Sequence, residues 1–239
     1  MSLQNLALAL HKITPYISTI KCDSNIVGDP LKLHTWAGRG FSQFGADGVI
    51  HKIFEDIGTT NKYYVEFGVQ DASECNTRRL RETCKWNGLL MDGSHENYLI
   101  NLKKYFITVE NIAYLFKKNN VPKHFDLLSV DIDGNDYHIL KKIIRSKYIP
   151  RVIIVETNFE TRKRTTIRYK NDHVWDGTCY GSASVSAFKH LLEKFGYRHV
   201  ASLRPDTYWI NVNEHPKNYT VPDISTTTCD NHMPSDEIL

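Results

Sequence analysis

The sequence predicts an α/β protein whose mostly parallel β-sheet is covered by helices on both faces. Strand-like and helix-like segments alternate between residues 63 and 156, and the strand-like ones are nearly continuous runs of Val, Ile, Leu and Phe. Such runs are typical of strands buried on both faces. The last two strand-like segments are separated only by Arg204, Pro205 and Asp206. A gap that short permits a hairpin but not a parallel crossover, so the last of seven strands is predicted to be antiparallel.

The first predicted element is a helix over residues 42–57, with Ser42 as its N-cap and Gly58 as its stop. The alternating part contains five strands, at 63–68, 87–92, 105–110, 125–131 and 151–156. The helices between them are predicted at 73–84, 94–104, 111–119 and 135–147. A helix over 182–195 then precedes the last two strands, at 197–203 and 207–213.

The 239 residues are predicted to form one globular unit, because 41% of them are hydrophobic. We expect an N-terminal helical extension over 1–40, a main domain over 41–213 and a C-terminal tail over 214–239. The net charge is only +3 and the basic residues are scattered. The basic run at 161–170 fits a solvated loop better than a phosphate-binding site. These features argue against a nucleic-acid partner.

The five cysteines form no C-x-x-C pair and no zinc-binding spacing, and their number is odd. A reducing compartment is the simpler inference. The apolar stretch near the N-terminus is too short for a signal peptide, and no segment approaches the length of a membrane span. We therefore expect a soluble, cytoplasmic protein.

The first strand ends at Glu66, followed by Phe67 and Gly68. A glycine there indicates a sharp turn or a close approach of the backbone to another group. The G-x-G-x-x-G fingerprint of dinucleotide-binding enzymes is absent, and the carboxylate of Glu66 would repel a pyrophosphate. The ligand at this turn is therefore expected to carry a cationic group such as an ammonium or a sulfonium.

The second and third predicted strands also end in polar residues. Asp92 ends the second strand, where a carboxylate can bind ribose hydroxyls. Glu110 and Asn111 close the third predicted strand, where an amide side chain can read the edge of an adenine. Each of these residues alone can be a helix N-cap, but acids or amides at four successive strand ends are harder to explain by capping.

The fourth strand leads into the stretch FDLLSVDIDGND, residues 125–136. Open α/β sheets bind ligands just outside the carboxyl ends of their strands. With Gly134 ending the strand, Asp131 and Asp133 are predicted to face one crevice.

Taken together, SQFGADG, VEFGVQD, GLLMDGS, FDLLSVDIDGND, VIIVETN and WDGTCYGSAS resemble the FkbM-type family of class I S-adenosylmethionine-dependent methyltransferases, many of which O-methylate sugars. The resemblance covers about residues 41–212. It implies the Rossmann-like fold of these enzymes, with seven strands of which the last is antiparallel.

Carried across by position, the resemblance implies that six residues hold S-adenosylmethionine: Glu66, Gly68, Asp92, Glu110, Asn111 and Asp131. Of these, Asp92 would bind the ribose hydroxyls of the cofactor. Gln43 would lie over the methionine end of the cofactor. Ala46 replaces an acid that is usual in the SQ-x-G-x-D-G string of the family. Asp47 is retained, although an acid that favours the helix dipole explains it equally well.

Methyl transfer requires an acceptor hydroxyl aligned with the methyl group and relieved of its proton. Two devices fit the sequence. A general base would come from Asp131, Asp133 or His173. Alternatively, Asp131, Glu156 and Asn158 would bind a divalent cation such as Mg²⁺ or Mn²⁺, as in metal-dependent O-methyltransferases. Ion pairs of these acids with Arg or Lys are the structural alternative.

Residues 157–180 form a long polar and aromatic stretch, which indicates a functional loop such as a lid over the acceptor. Trp175, Asp176 and Tyr180 are the candidate acceptor-binding residues, with Trp175 as a platform for a sugar ring. Packing of Trp175 onto the core is the competing interpretation. The expected partner is a glycan or a nucleotide-linked sugar, and the oligomeric state is left open, with a homodimer among the options.

Other classes compete with this prediction. An NAD(P)-dependent sugar-modifying oxidoreductase would use Tyr137 and Lys141, which have the Y-x-x-x-K spacing, but Tyr114 and Lys118 have it too. A catalytically silent cofactor-binding module would retain only the fold. An RNA ribose methyltransferase would be expected to use a lysine base and a broad basic face.

Overall fold

The computed structural model describes residues 28–38, 40–159, 163–175, 177, 181–214 and 219–221. Its strands are β1 (Tyr63–Phe67), β2 (Asn87–Asp92), β3 (Leu102–Lys104), β4 (His124–Val130), β5 (Ile149–Glu156), β6 (Tyr197–Leu203) and β7 (Asp206–Asn211). The described α-helices are α1 (Ala46–Ile57), α2 (Arg78–Glu82), α3 (Ile112–Lys118), α4 (Asp136–Arg145) and α5 (Val185–Glu193). Short 3₁₀ turns occur at Leu33–Trp36, Tyr98–Ile100 and Val212–Glu214.

The seven strands form one sheet in the order β3-β2-β1-β4-β5-β7-β6. The strands from β1 to β5 pair in parallel, and β7 pairs antiparallel with both β5 and β6. The predicted fold class, a Rossmann-like, mostly parallel sheet whose last strand is antiparallel, is confirmed. The order of the strands reverses between β1 and β4, which is where open α/β sheets bind their ligands.

Alternate residues of the central strands face opposite sides of the sheet. Val65 and Leu128 pack in the layer that contains helices α3, α4 and α5. Tyr64, Leu127 and Val152 pack in the layer that contains α1 and tryptophan Trp86. The strands are thus buried on both faces, as their continuous apolar runs predict.

The third strand and the helix before it differ from the prediction. Strand β3 lies at Leu102–Lys104, inside the segment predicted as a helix, and residues 105–110 form no strand. The backbone N–H groups of Ser94 and His95 donate to the Asp92 carboxylate, which holds the start of this segment in a turn. Asn101 has a φ of 54°, so the chain turns sharply just before it pairs with β2. Tertiary pairing here overrides the helical pattern.

Helix α1 begins at Ala46 rather than near Ser42, because Gly45 has a left-handed φ of 87°. The Ser42 hydroxyl still accepts a hydrogen bond from the backbone N–H of Asp47, at 3.1 Å. Gly58 ends this helix, as predicted.

Cys75 is a buried free thiol, whereas Cys84 is disulfide-bonded. Disulfides are rare in reducing compartments, so this bond counts against the compartment that the cysteine pattern predicts. None of the helices in the described ranges has the length and apolar character needed to cross a lipid bilayer. Most of the predicted extension (1–27) and tail (222–239) lies outside the described residues.

Candidate active site

Gly68 lies where the ends of three strands meet. It follows β1, has a φ of +79°, and donates its N–H to the carbonyl oxygen of Met91 in β2 at 3.1 Å. A Cβ atom at this position would lie 1.3 Å from the carbonyl oxygen of Asp131, just after β4. Only glycine permits this approach of the two backbones.

The largest of the cavities at this edge of the sheet, called the large cavity below, has a volume of about 550 Å³. Small-molecule sites typically fall in this size range. Polar groups line it at the strand ends, and aromatic and apolar side chains line it elsewhere. Its lining includes Gly68, Gln70, Asp92, Tyr105, Phe106, Ile107 and Asp131.

Asp92 ends β2 and points its carboxylate into the turns around the large cavity. Oδ1 accepts hydrogen bonds from the N–H and the hydroxyl of Ser94, at 2.8 and 2.7 Å, and from the N–H of His95. Oδ2 accepts from the N–H of Gln70 at 2.7 Å. Burial opposes ionisation of Asp92, but these hydrogen bonds outweigh it and lower its pKa. Because a carboxylate oxygen has two acceptor sites, Oδ2 retains capacity for a ligand hydroxyl.

Glu66 is buried and fully engaged by the start of α2. Oε1 accepts from the N–H of Asn76 at 2.8 Å, and Oε2 accepts from the N–H and the hydroxyl of Thr77 at 2.9 and 2.5 Å. Burial raises the pKa of Glu66, against the opposing effect of these hydrogen bonds. The side chain therefore fixes the segment between β1 and α2 as well as lining a cavity.

Four of the predicted cofactor-binding residues do not line the large cavity: Gln43, Glu66, Glu110 and Asn111. The Asn111 side chain accepts from the N–H of Thr108 and donates to the carbonyl of Phe106, both at 2.8 Å, which shapes the turn that carries Phe106. Glu110 is exposed and accepts from the Tyr169 hydroxyl at 2.6 Å. Neither residue lines the cavity, because β3 ends at Lys104 and residues 105–107 occupy the position expected for them.

A second cavity, called the acidic cavity, adjoins the first and has a volume of about 320 Å³. Four of its carboxylates come from four neighbouring strands. The register pairs Glu66 of β1 with Ser129 of β4, two residues before Asp131, and Glu156 of β5 with Asp206 of β7. With the side-chain period of two, these carboxyl groups lie on the same face of the sheet. They are Glu66, Asp131, Glu156 and Asp206.

Asp131, Asp133 and Glu156 form the tightest cluster of acids. One carboxylate oxygen from each lies within 4.8 Å of the others. Burial, with the charges of neighbouring carboxylates, raises the pKa of Asp131 and that of Glu156, and burial raises the pKa of Asp133. Among the ion pairs of the described residues, none joins these three acids to a lysine or arginine.

Sequence reasoning did not single out Asp206 as a site residue. It is buried, accepts from the Asn76 amide at 3.3 Å, and has its pKa raised by burial to about 7. Because β7 is antiparallel, its first residue reaches the edge where the parallel strands end. The predicted reversal of the last strand is the signal that would have identified it.

Asn158 lies beyond Glu156, beside a third cavity of about 210 Å³. It is buried, and its backbone N–H donates to the carbonyl of Ala183 at 2.8 Å. Asp133 and Glu156 line both the acidic and the third cavity, so Asn158 and the acidic cluster lie on neighbouring walls.

His173 and Trp175 come from the long loop and cover the strand ends. A Cβ atom at Gly134 would lie 2.1 Å from the His173 ring, so the ring packs directly on that glycine. The Nε2 atom of His173 is buried and has no hydrogen-bond partner. Trp175 is 46% exposed and lines all three cavities. Two other predicted acceptor residues, Asp176 and Tyr180, lie outside the described residues.

Gln43 lines the acidic cavity, and its amide donates to the Glu74 carboxylate at 3.3 Å.

The two tyrosines with the Y-x-x-x-K spacing lie away from these cavities. Tyr137 is buried in the core, and Tyr114 is exposed on α3. Neither tyrosine lines any of the three cavities, which removes the geometric basis of the oxidoreductase alternative.

A family model of the methyltransferase FkbM domain matches residues 57–199. No curated protein matches the chain by sequence. Solved structures with similarity include MycE, a methyltransferase of the mycinamycin biosynthetic pathway in complex with Mg and SAH, with 11% identity over 82% of this chain and a TM-score of 0.47. A proposed O-methyltransferase from Klebsiella pneumoniae has 13% identity over 87% of this chain, covers 94% of its own, and has a TM-score of 0.42.

The mitomycin 7-O-methyltransferase MmcR has 13% identity over 69% of this chain and a TM-score of 0.32. The alignments cover 58% of the MycE chain and 55% of the MmcR chain. This chain therefore corresponds to little more than half of each of these two proteins.

Proposed function

Because this chain belongs to the FkbM methyltransferase family, we propose that it transfers the methyl group of S-adenosylmethionine to a hydroxyl group of a sugar. The observation that carries the proposal is the adjacency of two cavities with a common wall. Asp131 and Asp133 line both the large cavity and the acidic cavity. A cofactor in the first and an acceptor in the second would meet at these two residues.

In this proposal the large cavity holds the cofactor. Gln43 and Glu66, which the sequence predicts at the cofactor, line the acidic cavity instead and lie on the acceptor side. The Oδ2 atom of Asp92 accepts a ribose hydroxyl, using the capacity that the Gln70 N–H leaves free. The adenine lies against Phe106 and Ile107, which line the same cavity. Gly68 lines this cavity, and the carboxylates beyond it favour the positive sulfonium.

The acidic cluster fits a divalent cation. Asp131, Asp133 and Glu156 offer hard oxygen ligands, and the Oε2 atom of Glu156 is buried without a hydrogen-bond partner. Two ligands on opposite sides of Ca²⁺ or Mg²⁺ lie about 4–5 Å apart, which agrees with the spacing of at most 4.8 Å. When bound, such a cation would lower the pKa of a coordinated hydroxyl and orient it.

The residues of the chain then have separate tasks. The walls of the two cavities align the acceptor oxygen with the methyl carbon, so that the oxygen–carbon bond forms as the sulfur–carbon bond breaks. The sulfonium becomes a neutral thioether. The hydroxyl proton passes to the carboxylate oxygen of Asp133 that would not bind the cation, since Asp133 is the most exposed acid of the cluster and lines all three cavities.

A sugar acceptor is supported by the lining of the acidic cavity. Carboxylates accept hydrogen bonds from several hydroxyls at once, and the half-exposed Trp175 offers an apolar face to a ring.

The proposal is tested by incubating the full chain with S-adenosylmethionine that carries a ¹³C-labelled methyl group, Mn²⁺ and a set of methyl glycosides. We expect NMR to detect a new methyl group bonded to a sugar oxygen, and calorimetry to detect S-adenosylhomocysteine binding. Binding without transfer to any sugar contradicts the acceptor assignment. Absence of binding contradicts the proposal as a whole.

A further inference from the structure

Phe44 is an exposed aromatic residue in the loop before α1. The residue is 49% exposed, and it lines the acidic cavity. Large apolar side chains exposed at the rim of a polar cavity often mark a binding surface. The sequence predicts a helix at this position and does not indicate Phe44 as a site residue.

The loop that carries Phe44 is held by Asp47. The Oδ2 atom of Asp47 accepts from three consecutive backbone N–H groups, those of Gly40, Phe41 and Ser42, at 2.8, 2.6 and 2.9 Å. It also accepts from the Ser42 hydroxyl at 3.0 Å. Charge-assisted hydrogen bonds of this kind fix a backbone strongly.

Two further contacts fix the same loop. The Arg78 guanidinium lies over the Phe41 ring, 4.4 Å from its centre. A Cβ atom on Gly45, whose φ is +87°, would lie 2.9 Å from the backbone nitrogen of Gly38. The loop therefore packs against its own preceding residues and against α2. Because these contacts fix the backbone of the loop, they hold Phe44 in its exposed position at the cavity.

Phe44 and Trp175 differ in which of the three cavities they line. Trp175 lines all three, so its replacement would disturb the cofactor and the acceptor together. Of the three cavities, Phe44 lines only the acidic one. A contact made by Phe44 thus belongs to the occupant of the acidic cavity.

We propose that Phe44 and Trp175 are the two aromatic walls of the acceptor site and contact one sugar ring whose hydroxyls face the carboxylates of Asp131 and Glu156. The inference rests on the proposed function and adds to it a residue that selects a ring-shaped, hydroxyl-bearing acceptor. A ring held on two apolar surfaces presents its polar edge to the acids, which orders it for methyl transfer.

The test compares Phe44→Ala with Phe44→Tyr, and uses Tyr114→Ala as the matched control because Tyr114 is 62% exposed on α3 and outside the three cavities. The probes are methyl glucoside, methyl galactoside, methyl mannoside and methyl rhamnoside, with Mn²⁺ and labelled S-adenosylmethionine. For the methylated glycoside, KM should rise about tenfold in Phe44→Ala, which corresponds to one lost aromatic contact. Phe44→Tyr and Tyr114→Ala should keep KM within about twofold.

The affinity for S-adenosylhomocysteine, measured by calorimetry, should stay unchanged in all three variants. A weaker affinity in Phe44→Ala would place Phe44 on the cofactor and overturn the inference. An unchanged KM in Phe44→Ala would also overturn it, while leaving the proposed function intact. If the wild-type protein binds no S-adenosylhomocysteine or methylates no glycoside, the proposed function itself fails, and the inference fails with it.

Discussion

The backbone carbonyl oxygen of Asp131 occupies the space that a side chain on Gly68 would need, only 1.3 Å from the position of a Cβ atom. This contact joins the ends of β1 and β4 at the point where the order of the strands reverses. Asp131 is thereby held at the boundary between the two cavities. The geometry of the whole site depends on this approach.

Replacing Gly68 by alanine should destabilise the protein by more than about 2 kcal/mol, because the new methyl group meets backbone and the φ is positive. S-adenosylhomocysteine binding should be lost with it. Gly196→Ala is the matched control, since Gly196 also has a φ of +79° but its Cβ would meet only Val212 at 3.7 Å. Urea denaturation should show a cost of about 1 kcal/mol there. Equal costs at both positions would contradict the close-approach explanation.

Asp92→Asn should weaken S-adenosylhomocysteine binding at least about tenfold, because an amide nitrogen facing the N–H of Gln70 or Ser94 replaces an acceptor by a donor. Ser94→Ala removes one of the donors to Oδ1 and leaves Oδ2 unchanged. It should lower the affinity much less. Calorimetric titration of both variants measures the difference, and a normal affinity in Asp92→Asn would exclude a role for this carboxylate in cofactor binding.

At pH 9, above the Glu156 pKa of about 8, Glu156→Gln should abolish Mn²⁺ binding and yet raise the melting temperature of the metal-free protein. The substitution removes a buried charge that lies among other carboxylates, so the fold loses a source of repulsion. Glu193→Gln, at an exposed position on α5, is the control and should change neither property. Electron paramagnetic resonance of Mn²⁺ and a thermal melt provide the two measurements. A lower melting temperature together with unchanged Mn²⁺ binding would refute the cation site.

The affinity for Mn²⁺ should rise with pH and level off above about 8. Burial and the neighbouring acids raise the pKa of Glu156 from 4.5 to about 8, so below that pH the cation must displace a proton. The folded state binds this proton more tightly than the unfolded chain does. The metal-free protein should therefore lose stability as the pH rises from about 4.5 to about 8, and Mn²⁺ should restore it. Urea midpoints at several pH values test this, and a flat profile would argue against it.

The opposite end of the sheet should affect stability without affecting ligand binding. Asp126 is fully buried, pairs with Arg151 at 2.8 Å and accepts from the N–H groups of Thr60 and Lys62. Asp126→Ala leaves Arg151 with the partly exposed Glu214 as its remaining acid partner and leaves the N–H groups of Thr60 and Lys62 without an acceptor, so it should cost about 3 kcal/mol. Where the variant is folded, calorimetry should show normal S-adenosylhomocysteine affinity. A loss of affinity in the folded variant would connect the two ends of the sheet.

The sequence predicts most of the sheet because β1, β2, β4 and β5 are apolar runs with clear turns after them. It fails at β3, where the β-branched and aromatic segment at 105–110 looks more like a strand than Leu102–Lys104 does. A three-residue edge strand has little local pattern of its own. Its position is set by pairing with β2 and by the hydrogen bonds of the Asp92 carboxylate, which local propensity cannot reveal.

The candidate site, like the sheet, can be predicted from the sequence only in part. Asp131 and Asp133 follow one parallel strand and Glu156 ends the next, so the rule for strand ends brings them to one edge of the sheet. The sequence predicts the cation ligands as Asp131, Glu156 and Asn158, whereas the tightest cluster of acids joins Asp133 to Asp131 and Glu156. Asp206 escapes that rule because it begins an antiparallel strand. Phe44 escapes because it lies inside a helical pattern that the left-handed Gly45 interrupts. Glu110 and Asn111 do not line the large cavity because their predicted positions depend on a third strand at 105–110, whereas β3 ends at Lys104.

A crystal structure of the protein with S-adenosylhomocysteine and Mn²⁺ tests the central claim most directly. The account predicts the ligand in the large cavity, with its ribose on Asp92, and an anomalous Mn²⁺ peak among Asp131, Asp133 and Glu156. The sulfur atom should point towards the acidic cavity. A ligand bound elsewhere, or three carboxylates paired with a lysine or arginine instead of Mn²⁺, would contradict it.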